Sequence, residues 1–200
     1  MSTDNIDKSK RRFLTAATTV VGAVGAGAVA VPFVSSWLPS ARAQAAGAPV
    51  EADISKLQPG GRLVIEWRGK PVWVVRRTEQ NLKDLDQLVT HDSLKDPMSE
   101  VTEQQPTYAA DKYRAQKSEY VVLVGICTHL GCSPTYLPLG AANKLGTDWH
   151  GGFFCPCHGS KFDLAGRVYN GVPAPTNLQV PPHKYLSESV IVIGVDEGVA

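Results

Sequence analysis

Every cysteine of this chain falls in one of two short boxes, Cys127-Thr128-His129-Leu130-Gly131-Cys132 and Cys155-Pro156-Cys157-His158-Gly159-Ser160, and each box also holds a histidine. Thiolate sulfur and imidazole nitrogen are soft and borderline donors, suited to zinc or to iron. Each box offers one Cys/His pair, Cys127 with His129 and Cys155 with His158, and has one cysteine to spare. The economical reading is two thiolates and two imidazoles on one metal centre. A structural zinc site is the competing reading, but the spacings are not those of paired Cys-x-x-Cys knuckles.

Regular structure must bring the boxes together, and the flanking sequence predicts it. Tyr120-Val121-Val122-Leu123-Val124-Gly125-Ile126 is an apolar run of strand length that ends on the first box. Gly152-Phe153-Phe154 leads into the second in the same way. After it, Lys161-Phe162-Asp163, Leu164-Ala165-Gly166 and Arg167-Val168-Tyr169 read as strand, turn and strand. Upstream, 62–67 and 71–77 flank Arg68-Gly69-Lys70 and predict a hairpin, and Val190-Ile191-Val192-Ile193 predicts a last strand. Leucines 82, 85 and 88 predict a helix over 78–90, whereas polar, proline-punctuated 92–117 predicts loop. Several short strands and one soluble helix indicate a mainly β, antiparallel domain.

Two hundred residues, 43% of them hydrophobic, suffice for one domain plus an accessory segment. A formal net charge of +1, with lysines and arginines scattered, excludes a nucleic-acid-binding stripe. The accessory segment is N-terminal. Lys8, Lys10, Arg11 and Arg12 precede an uncharged stretch over 13–39, and about 20 apolar residues cross a bilayer. Basic residues before the span and Glu51 and Asp53 beyond Arg42 place the N-terminus in the cytoplasm and the domain outside. The rival reading is a signal peptide cleaved near Ala41-Arg42-Ala43; the length of the run favours a retained anchor. Ser9-Lys10-Arg11-Arg12-Phe13-Leu14 resembles a twin-arginine export signal, with Lys10 where the first arginine is expected. Gly25-Ala26-Gly27-Ala28-Val29-Ala30 satisfies a dinucleotide-binding fingerprint but follows no strand, so it is assigned to helix packing in the bilayer. The Ala-rich 40–49 reads as a flexible linker. The divisions are thus a cytoplasmic 1–12, a transmembrane 13–39, the linker 40–49 and a domain over 50–200.

The boxes, the anchor and Gly171-Val172-Pro173-Ala174-Pro175-Thr176-Asn177-Leu178 together resemble the Rieske iron-sulfur subunit of the bacterial cytochrome bc1 complex, ubiquinol:cytochrome c reductase, over essentially the whole chain. The resemblance implies an antiparallel, β-sandwich-like Rieske domain with a cluster-binding part at about 126–175. It implies one [2Fe-2S] cluster, with Cys127 and Cys155 on one iron and His129 and His158 on the other, and a Cys132–Cys157 disulfide joining the two loops. It implies that His158 contacts the quinol, with His129 and Leu130 at the same reacting surface and Gly131 beside them. Ser160 would donate to a cluster sulfur, and 171–178 would cover the cluster. The implied partners are cytochrome b, cytochrome c1 and ubiquinol in a dimeric complex of the bacterial inner membrane, with the domain in the periplasm.

Charge explains why histidines matter there. Two thiolates cancel the two positive charges of an oxidised [2Fe-2S] core, whereas four would leave it doubly negative, so neutral imidazoles raise the reduction potential. The second ring nitrogen also couples electron uptake to a proton. One residue departs from the pattern: Phe162 stands where the family commonly has tyrosine, which implies a lower potential, although Phe162 is also an ordinary core residue. Two other functions compete. A small Rieske subunit of an exported molybdenum oxidase, such as arsenite oxidase, would need no quinol contact; a dioxygenase ferredoxin would lack the extra cysteines and the anchor. Outside the boxes, His91, His150 and His183 read as surface or turn histidines and Trp67, Trp73 and Trp149 as packing residues. Asp148 and Asp163 read equally as turn formers or proton acceptors.

Overall fold

The computed structural model describes residues 7–41, 43, 47–139, 145 and 149–196. Arg42, 44–46 of the expected linker and Asp148 lie outside these. The chain divides into two units, 1–45 and 46–200.

Most of the described part of the first unit is a long helix, α1 (Lys8–Ser35), 28 residues with none buried. Its mean hydropathy reaches 1.8, long and apolar enough to cross a membrane. Asp7 caps it, accepting from the amides of Ser9 and Lys10 at 3.0 and 3.1 Å. The helix takes in the basic residues and stops short of residue 39. Pro32 lies in its last turns; its carbonyl accepts the Ser36 amide at 3.0 Å, and the Ser36 hydroxyl donates to the Phe33 carbonyl at 2.7 Å, a group the ended helix leaves open. The fingerprint-like 25–30 lies wholly inside α1, so no strand and turn precede it.

Among its described residues the second unit contains three antiparallel sheets of three strands each. The first joins β1 (Val50–Asp53), β9 (Val190–Ile193) and β8 (His183–Ser187); the second joins β2 (Arg62–Trp67), β3 (Lys70–Arg76) and β4 (Tyr120–Val124); the third joins β5 (Thr135–Leu137), β6 (Gly152–Phe154) and β7 (Lys161–Phe162). The central strand β3 and its neighbour β4 are apolar on both faces because the second sheet lies between two cores. Val72, Val74 and Val122 face the core shared with Ile191 and Ile193. Trp73, Val75, Val121 and Leu123 face the larger core, which holds Phe153, Phe162, Cys127 and Cys155. Trp73 of β3 stacks on Phe153 of β6 with centroids 4.8 Å apart, a contact worth about 0.5–1.5 kcal/mol beyond area burial.

The expected soluble helix is α2 (Glu79–Thr90), opened by a reciprocal cap between Thr78 and Asn81 and burying Leu85 and Leu88 on one face. Two expectations change. No strand forms over 167–169, where Val168 and Tyr169 make only isolated bridges, to Phe162 and Leu94. Arg167 is drawn inward by Asp163, and past Tyr169 the backbone bonds pass from β7 to the 93–95 segment, so no continuous ladder forms. The 92–117 stretch is also not pure loop: it contains short 3-10 turns at Thr102–Gln104 and Thr107–Ala109.

Candidate metal centre

Both boxes fold into the same closed loop. In the first, the Cys127 amide donates to the Cys132 carbonyl at 2.7 Å and the Gly131 amide to the Cys127 carbonyl at 3.1 Å. In the second, the Cys155 amide donates to the Ser160 carbonyl at 2.8 Å and the Gly159 amide to the Cys155 carbonyl at 2.9 Å. The closure needs a left-handed residue at the fifth position, and glycine stands there twice, Gly131 at φ 82° and Gly159 at φ 76°. Strand β4 carries the first loop and β6 the second, so the sheets fix where each starts.

The opening cysteine of each loop is buried as a free thiol, Cys127 and Cys155 each being 2% exposed. The spare cysteines, Cys132 and Cys157, form a disulfide that joins the loops across 25 positions of sequence. The sulfurs of Cys132, Cys155 and Cys157 lie within 4.8 Å of one another, but the disulfide removes two of them as ligands. The two histidine rings meet edge to face with centroids 4.7 Å apart, His129 half-buried and His158 exposed. The Nδ1 of His129 is buried with no hydrogen-bond partner among the described residues. A buried imidazole nitrogen without a partner, in the same closed loop as the buried Cys127 thiol, is what a metal centre would satisfy.

Burial pushes the Cys127 thiol up, and nearby hydrogen bonds from the His129 backbone and the Ser160 hydroxyl partly offset this. Ser160 is fully buried, and its Oγ accepts the Ala174 amide at 3.0 Å, leaving its own hydrogen to donate elsewhere. Thr128 donates to the Thr176 carbonyl at 2.8 Å, so 171–177 is tied to both loops. Leu130 is 71% exposed at the tip of the first loop. Phe162 is fully buried opposite Phe153 and has no hydroxyl to offer.

Away from the centre, His91 is exposed beyond α2, and His150 is half-buried with Nδ1 3.8 Å from Asp84. His183 corrects the expectation of a surface histidine. It is 1% exposed in β8, and its Nδ1 lies 2.8 Å from the Pro181 carbonyl, which can only accept, so Nδ1 carries the proton. Trp67, Trp73 and Trp149 are buried, as packing residues should be. Asp163 Oδ1 accepts the amides of Ala165 and Arg167, both at 2.8 Å, and Oδ2 pairs with Arg167 Nε at 2.7 Å. Asp163 thus builds a turn. Sequence reasoning overlooked Lys95, Thr128 and the buried arginines 77, 114 and 167, whose roles depend on partners far along the chain.

Comparison with known proteins agrees with this geometry. Residues 96–182 match the family described as the Rieske [2Fe-2S] domain, and residues 1–40 match the ubiquinol-cytochrome c reductase Fe-S subunit TAT signal. A ubiquinol-cytochrome c reductase iron-sulfur subunit of Allochromatium vinosum is 60% identical, over 100% of this chain and 95% of that one. The iron-sulfur subunit of Blastochloris viridis is 42% identical, over 100% of this chain and 99% of that one. The mitochondrial Rieske subunit of the cytochrome b-c1 complex of Schizosaccharomyces pombe is 38% identical, over 85% of this chain and 64% of that one. The loops, their disulfide and the apolar N-terminal helix accompany a match over the full length, and the chain belongs to the family of ubiquinol-cytochrome c reductase iron-sulfur subunits, with a Rieske [2Fe-2S] domain.

Proposed function

We propose that this chain is the iron-sulfur subunit of a respiratory ubiquinol:cytochrome c oxidoreductase, taking an electron from ubiquinol at cytochrome b and passing it to cytochrome c1. Cys127 and Cys155 would hold one iron of the [2Fe-2S] cluster and His129 and His158 the other. The donor set supports this: two buried thiols, a buried Nδ1 without a partner and an exposed second imidazole. The cluster supplies a one-electron acceptor whose two thiolates and two neutral imidazoles set its potential above that of a four-cysteine site.

The observation that carries the reading is the asymmetry of the donors. Cys127 and Cys155 are buried, whereas His158 stands exposed, close to the exposed Leu130 side of the first loop. An exposed imidazole keeps its second ring nitrogen available to a hydroxyl donor, where it can hold the proton released when the quinol is oxidised. Leu130 gives the same tip an apolar surface for docking on cytochrome b. Ser160 donates toward sulfur and stabilises the reduced state.

Helix α1 anchors the subunit in the bacterial inner membrane. Lys8, Lys10, Arg11 and Arg12 hold its N-terminus in the cytoplasm, so the Rieske domain lies in the periplasm, where a disulfide persists. The subunit would work in a dimeric complex. Its divisions would be 1–12, 13–39, 40–49 and 50–200, with 40–49 letting the domain move between partners. Purification from membranes tests the reading: iron, a Rieske-type electron paramagnetic resonance spectrum, and co-purifying b- and c-type haem are expected. A colourless protein holding zinc, or one that co-purifies with molybdenum, would overturn it.

A further inference from the structure

The segment that leaves α2 runs antiparallel to residues 168–170. The Lys95 amide donates to the Val168 carbonyl at 3.0 Å, Leu94 bridges to Tyr169, and the Asn170 amide donates to the Ser93 carbonyl at 2.7 Å. This pairing sets the Lys95 side chain beside 171–177. Its Nζ donates to the carbonyls of Val172 and Ala174 at 2.8 and 2.7 Å. Both carbonyls belong to peptide bonds whose nitrogen is proline, Pro173 and Pro175. With no amide hydrogen at either bond, the loop has few donors of its own, and an ammonium from outside supplies them.

Ala174 is consequently held from both sides. Its carbonyl is on Lys95, its amide is on Ser160 Oγ at 3.0 Å, and the residue is fully buried. Ser160 lies in turn against the Cys127 sulfur. With one lone pair occupied by the Ala174 amide, the Ser160 hydroxyl has its rotation restricted, and its hydrogen is free for sulfur. Asn177 closes the far end of the loop, accepting the Val168 amide at 2.9 Å and donating to the Asp96 carbonyl at 3.0 Å.

We infer that Lys95 is a positioning residue for the redox centre: it clamps 171–177 over the two cysteine loops and, through Ala174, orients the Ser160 hydroxyl toward a ligand sulfur. The inference rests on the reading of Cys127, His129, Cys155 and His158 as cluster ligands. Without the clamp the loop opens more often, water reaches the centre, and the Ser160 hydrogen bond weakens.

The test uses the full chain in isolated membranes, in wild-type, Lys95→Met, Lys95→Gln and Lys95→Arg forms. Lys83→Met, on the exposed face of α2, controls for loss of a surface charge. Redox titration followed by paramagnetic resonance should give a lower midpoint potential and displaced signal positions for Lys95→Met. A chelator should strip its cluster roughly tenfold faster, since a charged hydrogen-bond donor to two carbonyls is lost. Lys95→Arg should restore both properties, and Lys83→Met should alter neither. If Lys95→Met accumulates no cluster, Lys95→Gln decides: an intermediate shift supports the clamp, and wild-type behaviour overturns it. Unchanged potential, signal and retention in Lys95→Met also overturn it. Should the wild type itself show no Rieske signal, the ligand reading fails separately. Hydrogen exchange at the Ala174 amide then reads the clamp alone, faster exchange in Lys95→Met supporting it and equal exchange ruling it out.

Discussion

At the scale of single residues, the potential of this centre depends on the hydrogen bonds that reach its sulfurs. Ser160 can supply one, whereas Phe162, fully buried between Phe153 and Val168, supplies none. Phe162→Tyr adds one oxygen at a site with little free volume, so the new hydroxyl must find an acceptor or cost stability. We expect the midpoint potential to rise, by no more than roughly 100 mV given the strength of a hydrogen bond to a charged acceptor. Redox titration of the variant checks this, and a fall or no change would show Phe162 to be packing alone. The two boxes were readable in the sequence because metal-binding side chains are rare and were concentrated. Lys95 was not, because one lysine in a polar stretch carries no mark of the carbonyls at 172 and 174 that it holds.

At the scale of elements, two devices keep the cysteine loops in place. The Cys132–Cys157 bond closes a span of 25 positions, which should restrict the unfolded chain by about 3.5 kcal/mol. Cys132→Ser leaves Cys127 and Cys155 untouched, so it should fold and take up iron but lose its visible colour at lower temperature than the wild type. Identical thermal bleaching would show that the sheets alone fix the loops. The second device is the turn after β7. Its carbonyls at Leu164, Ala165 and Gly166 accept from the buried guanidiniums of Arg77 and Arg114. Desolvation pulls both down to about 10. Asp163, wholly buried with Arg167, is the carboxylate of that network. Asp163→Asn would leave Arg167 buried without its counter-charge and should cost about 3–5 kcal/mol. A shift of the thermal midpoint by less than a few degrees would contradict this. Elements with local signals were legible: the 62–76 hairpin, α2, β4 and β9. Strands β1, β5 and β8 were not, because each is short and draws its order from distant residues. Val50–Asp53, for example, pairs with Val190–Ile193 at the other end of the chain.

At the scale of the whole molecule, stability should depend on acidity through a residue far from the loops. His183 lies in β8 inside the domain, its Nδ1 proton given to the Pro181 carbonyl, and its backbone amide and carbonyl both bonded to the Tyr108 hydroxyl. Burial pulls its pKa below the usual 6.5, only partly opposed by the Pro181 bond and by Asp196. The folded state therefore keeps this ring neutral while the unfolded chain begins to protonate it as pH falls through about 6.5. Above that value neither state binds the proton and His183 adds no pH dependence. Below it the unfolded state binds more protons, and stability falls by up to about 1.4 kcal/mol per pH unit until the folded pKa is reached. His183→Gln removes the titration while keeping a donor for Pro181. Its thermal midpoint should start lower than the wild type at pH 8 and converge toward it as the pH is lowered from 6.5 to 5. Curves that stay parallel over that range would show that the buried ring does not couple folding to protons.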